Sequence, residues 1–215
     1  LEAAGATWTA DGQRIIYARG NDVFEARIDG SGSRRLLTAP AQVLLPRLSP
    51  DGRRVRFTIM GSAETAIWEA AGDGNALHPL LPGWNASSGS WTPDGRHYVF
   101  HATRDGETAL WVLSERARWP WSGRRSPVRL TTGPLNYFAP TVSPDGRTVY
   151  SLGRSPGSAS ELVRYDASQA VFTPFLSGLA ARDVEFSRDG RWIAYVRHPD
   201  GTLWRSRRDG TEKRQ

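Results

Sequence analysis

Three groups of residues have types and spacings that chemistry could use. Gly153-Arg154-Ser155-Pro156-Gly157 fits G-x-S-x-G, the pattern that holds a nucleophilic serine on a strained strand-to-helix turn. His97 and His101 stand four apart, which on a helix would set two imidazoles beside one metal ion. Asp-Gly pairs recur along the chain and resemble fragments of calcium loops. None develops into a site. A Gly/Ser/Pro loop follows Ser155 where the nucleophile needs a helix. The histidines flank a strand pattern, along which four residues span about 13 Å, too far for one ion. His78 and His198 stand alone, and the Asp-Gly pairs lack the alternating acidic ligands and terminal Glu of a calcium site. The chain has no cysteine, which closes disulfides, thiolate metal sites and cysteine nucleophiles together. No catalytic constellation, metal or cofactor is therefore expected. Asn85-Ala86-Ser87 is a glycosylation triplet, meaningful only in a secreted eukaryotic setting.

The aromatic residues point to binding and packing. Trp8, Trp68, Trp91, Trp111 and Trp204 fall at strand positions and are expected to fill the core between sheets. Trp119 and Trp121, with Pro120 between them, differ: they sit in an arginine-flanked insertion from Arg116 to Arg125, the company that exposed binding anchors keep.

The elements that position these residues come from a repeat. An apolar residue, two turn residues and Asp-Gly recur as Trp8-Thr9-Ala10-Asp11-Gly12, Leu48-Ser49-Pro50-Asp51-Gly52, Trp91-Thr92-Pro93-Asp94-Gly95, Val142-Ser143-Pro144-Asp145-Gly146 and Phe186-Ser187-Arg188-Asp189-Gly190. The aspartates are 40, 43, 51 and 44 residues apart, close to the roughly 40–45 residues of a four-stranded propeller blade. Proline presets φ in such a turn, Asp bonds nearby backbone and Gly takes the left-handed conformation. The strand after each turn reads Ile15, Val55, Tyr98, Val149 and Ile193 at one position and Tyr17, Phe57, Phe100, Ser151 and Tyr195 two residues on, a period of two. The residue between is usually apolar as well, as when both faces of a sheet are covered; Arg56 breaks that rule. A third strand follows at Val23-Phe24, Ile67-Trp68, Leu110-Trp111, Leu162-Val163 and Leu203-Trp204. A short fourth ends near Leu36-Leu37, Leu80-Leu81, Leu130-Thr131 and Phe175-Leu176.

The expected fold is an all-β propeller of five four-stranded blades, about 1–37, 38–81, 82–131, 132–176 and 177–215, in one domain. Joining Gln215 to Leu1 would make the last aspartate spacing 37 and complete the fifth repeat, which suits a closed five-bladed ring and equally a segment of a longer array. A closed ring would be a monomer; otherwise a dimer is expected. The first residue, Leu1, suggests a processed product, an excised fragment or an engineered chain. No apolar run approaches a membrane span, so no insertion is expected.

The Ser-Pro-Asp-Gly-Arg anchor, the apolar-x-aromatic strand, the apolar-Trp strand and the second Asp-Gly turn that follows it, clear at Asp29-Gly30, Asp73-Gly74 and Asp209-Gly210, resemble the TolB-type propeller repeat, a relative of the WD-repeat in shape, over nearly the whole chain. Leu81-Pro82-Gly83-Trp84, Ser90-Trp91-Thr92-Pro93-Asp94-Gly95-Arg96, Glu161-Leu162-Val163-Arg164-Tyr165-Asp166 and Asp189-Gly190-Arg191-Trp192-Ile193-Ala194-Tyr195 with Gly201-Thr202-Leu203-Trp204-Arg205-Ser206 more narrowly resemble the propeller region of bacterial winged-helix transcriptional regulators. The resemblance implies a non-enzymatic ring, a sensor or protein-interaction part of a larger bacterial protein, and transfers no catalytic residue. It leaves the compartment open between cytoplasm and periplasm. Ala10 and Arg188 depart from the turn proline, and Ser151 from the aromatic.

Both Asp-Gly turn classes fall on one side of such sheets. The opposite side is built from irregular connections, where binding residues on a rigid scaffold concentrate. It carries Arg19, Asn21, Glu64, Trp84, Asn85, His101, Arg104, Asp105, Asn136, Tyr137, Phe138, Arg182, Asp183, Arg197 and His198, and a protein or small ligand is expected there. The net charge of +6 invites nucleic acid, but the arginines recur at matching repeat positions such as Arg53, Arg96, Arg147 and Arg191, so no specific nucleic acid is expected. Two alternatives stand beside the binding scaffold: the gating propeller of a prolyl-oligopeptidase-type serine peptidase without its catalytic domain, and an engineered or excised repeat ring with no ligand.

Overall fold

The structure is a computed structural model describing residues 3–62, 64–115, 126–133, 135–155, 161–166, 169 and 171–215. Its strands are β1 (Ala6–Trp8), β2 (Arg14–Arg19), β3 (Asp22–Arg27), β4 (Arg34–Thr38), β5 (Gln42–Leu48), β6 (Arg54–Met60), β7 (Thr65–Ala71), β8 (His78–Pro79), β9 (Asn85–Trp91), β10 (His97–Arg104), β11 (Glu107–Ser114), β12 (Val128–Arg129), β13 (Asn136–Val142), β14 (Thr148–Arg154), β15 (Glu161–Asp166), β16 (Val171–Pro174), β17 (Ala181–Phe186), β18 (Trp192–Arg197) and β19 (Leu203–Arg207). They form five antiparallel meanders, β1-β2-β3-β4, β5-β6-β7-β8, β9-β10-β11-β12, β13-β14-β15-β16 and β17-β18-β19. In the fifth a single bridge, Arg205 to Arg214, stands where the others have a fourth strand. No helix among the described residues is long and apolar enough to cross a membrane.

Two compact units can be distinguished, Leu1–Trp91 with Ala102–Arg104, and Thr92–His101 with Asp105–Gln215. In the first, Ile16, Ala18, Val23, Leu37, Val43, Val55, Phe57 and Ile59 form a core between the first two sheets. In the second, Leu162, Ala181, Val184, Ile193 and Tyr195 form one cluster, and Leu110, Tyr137 and Val163 another. The second strand of a sheet is the most deeply covered: Val55 through Ile59 are all buried in β6, as a strand sheathed on both faces should be.

Each turn is built the same way. The hydroxyl of Thr9, Ser49, Thr92, Ser143 or Ser187 donates to Oδ1 of the aspartate two residues on, at 2.5–2.6 Å. The same hydroxyl accepts the amide of the first residue beyond the turn, at 3.0 Å. Aspartate Oδ1 also accepts the amide two residues after it, at 3.0–3.1 Å. Ala10 and Arg188 therefore occupy turns of the same geometry without proline, because the hydroxyl–carboxylate pair closes them.

Six residues before each turn aspartate, within the first strand or, for Gly5, just ahead of it, stands a left-handed residue: Gly5, Leu45, Ser88, Ala139 and Asp183, with φ of 110, 52, 42, 46 and 54°. Register shifts mark bulges between Leu44 and Arg47, Phe138 and Thr141, and Arg182 and Glu185. The bulge turns an amide away from its own ladder and toward the preceding sheet. Leu45 N–H donates to the Ala4 carbonyl at 2.9 Å, and Ser88 N–H to Thr58 Oγ1 at 3.0 Å. Glycine is required at position 5, where a Cβ would lie 3.1 Å from the Leu45 Cα.

One expectation is corrected. Trp8 is 57% exposed rather than core. It holds the repeat position of Trp91, whose ring lies under the guanidinium groups of Arg54 and Arg56 from the sheet before it, at 4.7 and 4.2 Å; in its own unit no sheet precedes β1 to cover Trp8. Arg56, the polar interruption of β6, is fully buried between that ring and Glu69, with Nε 2.7 Å from Oε2. The fourth strands of the second and fourth repeats end at Pro79 and Pro174, and the ladder runs one residue further, where the Leu80 and Phe175 amides donate to the Ile67 and Leu162 carbonyls at 2.9 and 2.8 Å. Beyond Phe175 the chain leaves the sheet, as Leu176 and Ser177 turn left-handed with φ of 51 and 61°.

The hydroxyl–aspartate turn makes two measurable demands. Ser143 is fully buried and serves as donor and acceptor at once. Ser143→Ala is expected to cost about 1–2 kcal/mol, read as a lower urea midpoint at unchanged slope. Hydrogen bonds from the neighbouring hydroxyls hold the carboxyls of Asp11, Asp51, Asp94, Asp145 and Asp189 below the ordinary value of 3.8. As pH falls below that value the unfolded chain takes protons first, so this contribution is complete above it and is lost in acid.

Candidate functional site

The irregular connections carry a recurrent pairing of arginine with an aromatic ring. In the first unit the exposed Arg104 stacks its guanidinium 4.4 Å above the ring of the half-buried Trp84, and Arg19, at the exposed end of β2, lies 5.0 Å above Phe24. In the second unit Arg197, at the end of β18, stands 6.0 Å from Trp204, whose indole N–H donates to Thr202 Oγ1 at 2.7 Å. Each arginine ends a second strand, and its planar cation covers an aromatic face while leaving donors directed to solvent.

Other expected site residues hold neighbouring sheets together. Asn85 Oδ1 accepts the Thr65 amide at 3.2 Å, and its repeat equivalent Asn136 accepts the Thr108 amide at 2.9 Å. Tyr137 is buried and stacked on Phe172 with centroids 4.3 Å apart; burial raises the pKa of its phenol. His101 Nδ1 accepts the Ala139 amide at 3.3 Å, and its ring meets Phe138 edge-on at 5.5 Å. An acceptor at Nδ1 leaves the neutral ring's proton on Nε2. Desolvation agrees with this, pushing the imidazole down to about 4.

The rest are placed by their backbone. The carbonyls of Asn21 and Glu64 accept the amides of Ala39 and Gly61, and the His198 amide donates to Ala180. Asp105 has φ of 53° in an exposed turn, Asp183 is the left-handed bulge residue, and Arg182 pairs with Val196 across β17 and β18. Trp119 and Trp121 lie outside the described residues, as do Pro156 and Gly157 of the G-x-S-x-G stretch, whose Gly153 and Arg154 end β14. Among the described residues no three metal-ligating side chains cluster. The sequence reading singled out Trp84 and Arg104 but not their contact, and it missed the aromatic partners Phe24 and Trp204. The regular arginine at the end of the second strand was the available signal.

His101 has a testable consequence. The unfolded ring protonates near 6.5 and the folded one near 4, so its contribution is complete above pH 6.5 and is lost as pH falls toward 4. Because the ring is partly exposed, about 1–3 kcal/mol should disappear across that window. His101→Gln should flatten the dependence, measured as urea midpoints from pH 7 to pH 4.

No family model matches the chain. The Tol-Pal system protein TolB of Anaeromyxobacter dehalogenans (strain 2CP-C) is 33% identical over 114 residues, a match covering 53% of this chain and 25% of that protein. The matched segment thus spans about a quarter of the length of this relative. A solved TolB-type structure from Agrobacterium tumefaciens superposes with a TM-score of 0.80 at 16% identity, covering 99% of this chain and 79% of that one. TolB from Acinetobacter baumannii superposes with a TM-score of 0.76 at 19% identity, covering 98% and 53%. The narrower resemblance to winged-helix regulators finds no support among these proteins. What the superpositions show is the fold: an all-β, five-bladed propeller of antiparallel blades with TolB-like repeats.

Proposed function

We propose that this chain is a non-enzymatic interaction propeller, part of a larger bacterial protein, and that its irregular-connection side takes a protein partner. The likeness to proteins named for the Tol-Pal system supports this reading and suggests a Tol or Pal protein as the partner. The observation that carries it is the stacked pair of Arg104 and Trp84. Tryptophan and arginine are the residue types on which interface energy concentrates, and here each already holds the other in a fixed geometry, so little entropy remains to be lost on binding. Arg19 on Phe24 repeats the device in the same unit.

The test is binding of purified Tol and Pal proteins from the same cells to the immobilised chain. Trp84→Ala is expected to weaken capture by at least about 2 kcal/mol, roughly thirtyfold in Kd, and Arg104→Ala by a smaller amount. Binding indifferent to both substitutions would remove this side from consideration. Absence of binding to any Tol or Pal protein would reject the partner class.

A further inference from the structure

The side of the second unit that carries the regular turns holds an open cleft of about 740 Å³. That size lies within the roughly 300–1,000 Å³ of small-molecule sites. Its wall includes four arginines, Arg164, Arg191, Arg207 and Arg208, together with the apolar residues Phe175 and Leu176. Asp209 is the lining carboxylate, and its Oδ1 is occupied by the Thr211 amide and hydroxyl at 2.9 and 2.6 Å.

The arginines are differently committed. Arg207 is fixed by Glu212, with Nε 3.0 Å from Oε1, and by the Trp192 ring 4.3 Å beneath its guanidinium. Arg191 and Arg208 approach Asp189 and Asp145 only at 3.8 and 3.9 Å, beyond hydrogen-bonding distance. Those two carboxylates are already engaged in their own turns. Arg164 is exposed, and its side chain makes no hydrogen bond or ion pair among the described residues.

A second observation converges on Arg164. Across the fourth sheet Thr141 opposes Tyr150, Tyr150 opposes Arg164, and Arg164 opposes Thr173. Directly opposed residues project from the same face. Thr141 donates to the Val184 carbonyl, so that face is the one turned toward the fifth sheet. In the same row the Tyr150 hydroxyl and Thr173 Oγ1 are buried with no hydrogen-bond partner among the described residues, while the Tyr150 ring packs on Phe175 and Phe186 at 4.8 and 4.9 Å. Buried polar atoms left unpaired are costly and uncommon. Neither atom lines the cleft; Tyr150 adjoins it through the ring of Phe175.

We propose that this cleft binds a small organic phosphate, its oxyanion held by Arg164 and Arg191 with Arg208 in support, and its ring or acyl portion lying on Phe175 and Leu176. Guanidinium forks match phosphate oxygens in pairs, and several converging on one cleft suit a ligand with more than one negative charge. The site lies on the turn side and stands or falls independently of the protein-binding reading above.

Isothermal titration of the full chain with ADP, inorganic pyrophosphate and adenosine tests it. ADP is expected to bind, pyrophosphate more weakly and adenosine not at all. Arg164→Gln and Arg191→Gln, both at exposed positions, should each weaken ADP at least tenfold at an unchanged urea midpoint, whereas Arg35→Gln, on the exposed edge strand β4, should leave it unchanged. No binding of any probe overturns the site, as does ADP affinity unaffected by the cleft substitutions or lowered equally by Arg35→Gln. Pyrophosphate binding as tightly as ADP overturns the role given to Phe175 and Leu176.

Discussion

Everything in this fold depends on the hydrogen bond from a serine or threonine hydroxyl to the aspartate two residues later. It closes the turn between the first and second strands of every repeat and receives the amide beyond it. Side chains alternate with a period of two, so a slip of one residue there would exchange the two faces of a sheet that is buried on both. With the turn locked, the position six residues earlier is locked as well, and there the strand bulges. A local bond of a few atoms thereby decides where each sheet offers its spare amide.

That spare amide is met by the sheet before it. Thr58 receives Ser88 in the first unit, and His101 receives Ala139 in the second. Asn85 and Asn136 act in the opposite sense, each accepting an amide from the preceding repeat. Polar residues on the irregular side are thus largely consumed in joining sheets, and the same logic explains Arg56, whose buried charge answers Glu69 and lies against Trp91. Removing either partner of that pair would strand a charge away from water. What remains for an outside molecule is a sparser set: arginines at strand ends, already resting on aromatic rings.

The two sides of the second unit differ in how they could recognise a ligand. On the irregular side one guanidinium sits on one ring, which suits a protein surface contacted over a broad area. On the turn side four arginines line one cleft with two apolar residues, which suits a small anion with an apolar body. The regularity of the turns does not prevent this, because the cleft is formed by what lies beside them: the left-handed Leu176 and Ser177 that end the fourth repeat, and the Arg207-Arg208 pair that precedes the last Asp-Gly turn.

The sequence by itself determined the repeat, its strands and its turns, because Asp-Gly, the hydroxyl two residues before it and the period-two apolar pattern act over a handful of neighbouring residues. It also singled out Trp84 and Arg104 separately. It could not show the left-handed positions, since Gly5, Leu45, Ser88, Ala139 and Asp183 share no side-chain chemistry and are alike only in backbone conformation. Nor could it show that Trp8 is exposed while Trp91 in the same repeat position is covered, that Arg56 is buried, or that Arg164 and Arg191 line one cleft. Those outcomes were decided by tertiary structure alone. Exposure, ion pairing and cleft formation depend on which sheet lies against which, and residues tens of positions apart meet only when strands in register bring them together.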